Sequence, residues 1–191
     1  VPFAPLFIFF LQIFQWEIVL SNGSGSVETP GIPGVAFMEE ILDQVMTYLK
    51  SMNLTYEIKP VDGEIHRILV PYSIEEKSLR FNVVIDVSGQ FLRFWVIVML
   101  ADKVPSKEKR EELHHELLIA NGQLAEVKYF LSEKGDVGVV GHEGVKALTV
   151  DSFREEFRAI PYGIIYFLNV IAKKLNLSLT LPTKDELSIY S

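Results

Sequence analysis

A chain of 191 residues with 18 basic and 25 acidic side chains has a formal net charge of −7, and 49% of it is hydrophobic. That is the size of one ordinary domain plus an appendage, and the acidic balance argues against a surface built to displace counterions from nucleic acid. The absence of cysteine excludes disulfides, thiolate metal sites and a Cys nucleophile.

Residues 1–20 contain 15 hydrophobic side chains, five of them Phe, and a Gly/Ser/Pro stretch of linker composition follows over 21–34. The expected division is an apolar arm with its linker over 1–37 and a single domain over 38–191. About 20 residues suffice to cross a hydrocarbon core, so membrane contact through residues 1–20 is one reading. Gln12, Gln15 and Glu17 inside the run, Pro2 and Pro5 in its first turn, and the lack of any Lys or Arg before Lys50 oppose it. The missing basic flank and cleavage site also oppose a secretory signal. Two further readings are a natural start at Met38, with the upstream residues misassigned or added, and an apolar arm that packs on its own domain or a neighbour. The expected location is cytoplasmic, or membrane-tethered if the first 20 residues insert.

From Met38, apolar residues at 38, 41, 42, 45, 46, 49 and 52 mark one face of a first helix. Residues 54–60 alternate, and Asp62-Gly63 turns the chain into 64–70, which predicts a hairpin ending at Pro71. Residues 78–87 and 90–100, joined at Ser88-Gly89, read as the long centre of a sheet. The second of these strands is apolar in both rows: Phe91, Trp95, Ile97 and Met99 in one, Leu92, Phe94, Val96, Val98 and Leu100 in the other. Both faces therefore need cover, and a single layer of helices supplies it to only one.

Ser106 is the expected N-cap of a second helix that stops at Gly122 and can bury only Leu113, Leu117, Leu118 and Ala120. A hairpin over 125–132 and 137–142 turns at Lys134-Gly135-Asp136. Ser152-x-x-Glu155 suggests a capping box for a third helix, with an apolar stripe at 153, 157, 160, 164, 168, 171 and 175. Pro161 and Gly163 are expected to kink or split that helix, and Thr183-x-x-Glu186 to cap a short last one. The expected fold class is α+β: an antiparallel sheet of about six strands and three main helices in the order α-β-β-β-β-α-β-β-α.

No catalytic constellation emerges from the residues. Glu111-x-x-His114 and Glu112-x-x-His115 have the E-x-x-H spacing of carboxylate di-metal bundles, but such a site needs the pair twice with two further Glu, so a solvated helix face is the better reading. Gly135, Gly138, Gly141 and Gly144 fit neither phosphate-loop pattern and lie between hairpin strands, which suggests a bulge or the close approach of another backbone. No G-x-S-x-G occurs, and adjacent carboxylates such as Glu39-Glu40, Glu75-Glu76 and Glu155-Glu156 read as solvated charge. Phe91, Phe94 and Trp95 have only Arg93 as nearby positive charge, too little for a base-stacking platform.

Between about 113 and 172, a helix ending near Asn121, a hairpin around Lys134-Gly135-Asp136 and a Thr149-x-x-x-Phe153 start to a long helix resemble the YbjN family, similar in fold to class I type III secretion chaperones. The element order agrees from 38 to 175. Departures are the less acidic turn, Pro161 and the N-terminal arm. The resemblance implies a non-enzymatic, chaperone-like or adaptor module, a homodimer that binds another polypeptide, with no catalytic residues, cofactor or metal. The expected partner-binding residues are Leu92, Phe94, Val96 and Val98, and the expected dimer contacts Leu113 and Leu117. The competing readings are a small-ligand protein or enzyme with a pocket between sheet and helices, and a membrane-tethered form of the binding module.

Overall fold

The computed structural model describes residues 33–60, 66–75, 78–88, 90–178 and 181–182. The apolar run 1–20, the Gly/Ser/Pro stretch as far as residue 32 and the expected cap at Thr183 lie outside them. The first helix, α1 (Pro33–Ser51), begins five residues before Met38, with Pro33 at the first helical position, where its missing N–H costs nothing. Met38, Ile41, Val45 and Leu49 are its buried face. Just past its end at Ser51, Asn53 adopts a left-handed conformation (φ 55°) that lets the Leu54 N–H return to the Leu49 carbonyl at 3.0 Å.

Six antiparallel strands follow: β1 (Glu57–Pro60), β2 (His66–Ile74), β3 (Leu79–Val87), β4 (Phe91–Met99), β5 (Lys128–Leu131) and β6 (Val137–Gly144), in the spatial order β1-β2-β3-β4-β6-β5. The expected α+β architecture is thus present, with its element order intact. β2 runs through Pro71 instead of ending there. Its pairing with β1 finishes at Leu69, so Pro71 lies where β2 has become an edge strand, and an edge tolerates a residue with no N–H. Between Ile97 and Met99 a bulge interrupts the β4–β6 register, and Met99 joins the helix-side core although Ile97 does not.

The second helix, α2 (Lys107–Gln123), carries the chain from β4 to the far edge of the sheet. Ser106 caps it as predicted, its Oγ accepting from the Lys109 N–H at 3.2 Å. Gly122 is not the stop; the helix continues to Gln123, and the Leu124 N–H closes the last turn on the Ala120 carbonyl. Asn121 then shields the β5 edge: its Nδ2 donates to the Tyr129 carbonyl at 3.0 Å and its Oδ1 accepts from the Tyr129 N–H at 2.6 Å, in place of a neighbouring strand. The β5–β6 turn needs Gly135 at φ 84°. Beside it the buried Asp136 accepts from the Ala101 N–H at 2.7 Å, tying this turn to the chain leaving β4.

The third helix, α3 (Val150–Tyr166), is capped by Thr149 in a reciprocal arrangement with Ser152, three residues ahead of the expected cap. Pro161 sits inside it without splitting it. The irregularity comes later, as a π-helical stretch over Phe167–Ala172. Its wider turn shifts the buried stripe, so Phe167, Ile171 and Ala172 are in the core and the predicted Leu168 is half-exposed. Gly163 allows α3 to lie close on the sheet: a Cβ there would stand 2.6 Å from Val139 Cγ1. The buried Tyr129 hydroxyl donates to the Gly163 carbonyl at 2.8 Å across the same contact.

The three helices contribute to one core with a single face of the sheet, and none contributes to the smaller cluster on the other face. Phe94, Phe153, Phe157 and Phe167 are fully buried in that core. No helix among the described residues is long and apolar enough to cross a membrane.

Candidate functional site

Because alternate strand residues point to opposite faces, the register determines which side chains share the face that no helix among the described residues covers, called the uncovered face below. Leu69 of β2 lies beside Val84 of β3, Val84 beside Trp95 of β4, and Trp95 beside Val140 of β6. These four residues and Ile97 form a compact apolar cluster flanked by Phe130 and Leu100. Trp95 is only 5% exposed, because charged neighbours cover it. The guanidinium of Arg67 lies 5.3 Å from its ring centre and that of Arg93 5.5 Å. The Trp95 Nε1–H donates to Asp86 Oδ2 at 2.8 Å, and Arg67 Nε donates to Asp86 Oδ1 at 2.7 Å. Arg67, Asp86 and Trp95 thus hold one another, with the hydrogen-bonding needs of the indole and of both carboxylate oxygens met.

Arg93 also lies 5.2 Å from the Phe130 ring, which meets Trp95 edge-on at 6.4 Å. Phe130 lies over Gly138, where a Cβ would stand 2.2 Å from its ring. Toward the end of the sheet Phe91 is 45% exposed and meets His142 edge-on at 5.9 Å. Burial first, and then the charge of Arg93, hold His142 below the usual imidazole range, so it is neutral at pH 7.

Glu156 of α3 forms a second unusual environment on the helix side. Its Oε2 is buried without a hydrogen-bond partner and occupies the space left by Gly141, where a Cβ would stand 2.6 Å away. Burial, followed by the charges of Glu143, Glu126 and Glu155, raises its pKa to about 7. Of the glycines spaced along β6, Gly138 and Gly141 therefore admit side chains, a ring and a carboxyl, where a bulge or the close approach of another backbone was expected. On α2, Glu111 and Glu112 pair with Lys107 and Lys109. Among the described residues no group of three or more His, Asp or Glu is arranged to hold a metal ion.

The structure places Leu92, Phe94, Val96 and Val98 in the row facing the helices, each 1% exposed or less. In this fold they hold the domain together, and Phe94 meets Phe153 edge-on at 5.3 Å. Leu113 and Leu117 are likewise buried, on the inner side of α2. The row of β4 that does reach the uncovered face is Phe91, Arg93, Trp95 and Ile97.

No protein-family model matches the chain, and no curated protein matches it in sequence. Among solved structures it is similar to an uncharacterized protein from Methanothermobacter thermautotrophicus, with 11% identity and a TM-score of 0.56 over 71% of this chain and 99% of that one. At that score the two share a fold. The crystal structure of the ExsC–ExsE complex (10% identity, TM-score 0.42, 70% of this chain and 95% of that one) is a further neighbour. So is the HopA1–SchA chaperone–effector complex (15% identity, TM-score 0.39, 68% and 91%). Likenesses of that size say nothing about what this chain binds.

Within this fold the uncovered face draws on residues that sequence reasoning passed over, namely Arg67, Asp86, Phe130 and His142. Their signal was their place as polar or isolated aromatic positions opposite the core row of each strand. Which of them meet depends on strand order, since Trp95 and Phe130 become neighbours only because β6 lies between β4 and β5.

Proposed function

We propose that this chain is a non-enzymatic polypeptide-binding module, an adaptor or chaperone-like protein of the cytoplasm, related to the YbjN family and working as a homodimer. The observation that carries the reading is a sheet with one face sealed by helices and the other bearing an ordered aromatic and arginine cluster with no helix over it among the described residues. A fixed cluster of this kind suits a partner's side chains, since aromatic and Arg residues concentrate binding energy at protein interfaces. The competing small-ligand reading finds little room, because Phe94, Phe153, Phe157 and Phe167 fill the layer between sheet and helices.

The binding test is a photo-crosslinking amino acid at Phe91, on the uncovered face, compared with one at Glu155, exposed on α3. The expected outcome is a crosslinked polypeptide from position 91 in cells of the native host and none from position 155. Equal labelling from both positions would argue against the assignment of the face.

For self-association the exposed side of α2 is the surface we favour. Leu118 is 71% exposed and Ile119 lies beside it, whereas Leu113 and Leu117 point inward. Light scattering is expected to give twice the 21.7 kDa chain mass. Leu118→Glu is expected to weaken the dimer by on the order of 100-fold, because it would put a charge into a desolvated contact. A monomeric wild-type chain, or an L118E dimer as strong as wild type, would remove this interface.

A further inference from the structure

Although the chain is acidic overall, the uncovered face is not. The register places Lys59, Arg67, Arg80 and Arg93, one from each of β1 to β4, on this face, against Glu57 and Asp86. Asp86 is already neutralised by Arg67 at 2.7 Å. Lys128 belongs to the same face by register, but its Nζ is turned to the carbonyls of Asn121 and Leu124 at the end of α2. Arg93 differs from Arg67 in having no carboxylate partner among the described residues. Its guanidinium is held by the rings of Trp95 and Phe130, and its N–H donors make no hydrogen bond among the described residues. A planar cation restrained by two rings, with its donors unused, is suited to receive a carboxylate, since little conformational freedom remains to be lost on pairing.

We propose that the uncovered face takes an extended acidic segment of another polypeptide, one carboxylate pairing with Arg93 and apolar side chains resting on Phe91 and Phe130. The inference rests on the polypeptide-binding reading above and adds the chemistry of the partner. An extended segment suits the row because its side chains on one side repeat every two residues, as Phe91, Arg93 and Trp95 do along β4. A single-stranded nucleic acid fits less well. The large ring on this face, Trp95, is covered by two guanidinium groups and offers no free surface to a base, and Asp86 lies beside it.

The test uses the full chain with Trp16→Phe, so that Trp95 is the sole indole and reports on the site. The probes are synthetic peptides alternating valine with glutamate, serine or lysine, and an oligouridylate, titrated by Trp95 emission and by calorimetry. The glutamate peptide is expected to bind about tenfold more tightly than the serine peptide at low salt, with the advantage shrinking as salt rises. Arg93→Gln is expected to lose about tenfold for the glutamate peptide alone, and Arg93→Lys to lose part of that, since an ammonium keeps the charge without the planar fork. Arg80→Gln, at an exposed position away from the ring cluster, is expected to lower affinity for the glutamate peptide about twofold through the field of the face. Equal binding of the glutamate and serine peptides would overturn this inference and leave the polypeptide-binding reading standing. Tighter binding of oligouridylate would overturn it in favour of nucleic acid. Failure of every peptide to bind would overturn both.

Discussion

Phe153→Ala is expected to lower the folding free energy by about 4 kcal/mol, a large fraction of the roughly 5–15 kcal/mol that keeps a domain folded. Phe153 is fully buried where α1, α3 and the sheet meet. Its ring centre lies 5.3 Å from Phe94 of β4, 5.6 Å from Tyr48 of α1 and 6.4 Å from Phe157 one turn along α3. Truncation removes the transfer energy of the ring and leaves a cavity walled by three other rings, which are held by separate elements and cannot all collapse into it. Phe153→Leu, which keeps much of the volume, is expected to cost about 1–2 kcal/mol. Phe91→Ala, on the uncovered face and half in water, is expected to change stability by about 0.5 kcal/mol or less. Urea unfolding with unchanged slopes would measure all three. A Phe91→Ala cost as large as that of Phe153→Ala would mean that the face described as uncovered is packed in solution.

The second large effect is a pH-dependent one at Glu156. Its folded-state pKa of about 7 lies above the ordinary value of 4.5, so between those two values the folded chain binds more protons than the unfolded chain. Stability therefore falls as pH rises through this window, and the whole cost is present above it. The full shift corresponds to about 3 kcal/mol; water at the exposed part of the carboxyl screens this, and about 1–2 kcal/mol is the expected cost. Glu156→Gln removes the charge while keeping the shape, so the variant is expected to exceed the wild type by about 1–2 kcal/mol at pH 8 and to match it near pH 4.5. His142 acts in the opposite sense: its lowered pKa makes stability fall as pH drops, and the difference between wild type and variant cancels that contribution. Denaturation of both proteins across this range is the measurement. A constant difference at all pH values would show that Glu156 ionises freely in the folded chain and that its Oε2 is hydrated.

The departures from the sequence reading have local physical causes. Pro71 was expected to end a strand, and it would do so in a strand paired on both sides; β2 loses its β1 neighbour at Leu69. Gly122 was expected to end a helix, yet it keeps a helical conformation because the next hydrogen bonds still find partners up to Leu124. Pro161 and Gly163 were expected to kink or split α3; the helix is not split, and packing of Phe157, Ile160 and Ile164 against the sheet holds it together on both sides of Pro161. At Pro161 tertiary contacts outweighed a helix propensity penalty of about 3 kcal/mol.

By itself the sequence determined the elements and their order, because helical and strand periodicities are properties of neighbouring residues and the caps and turns lie within a few positions of one another. It also determined that β4 would have two apolar rows. It left open which row packs against the helices, since alternation is symmetric between the two faces of a strand. Only the tertiary structure decided that. By packing α1, α2 and α3 on one side, it turned Leu92, Phe94, Val96 and Val98 inward and left Phe91, Arg93 and Trp95 outside. The cluster on the outer side depends on pairings across the sheet, Arg67 with Asp86 19 residues away and Trp95 with Phe130 by way of β6. Such pairings arise from strand order and register, which no local pattern encodes.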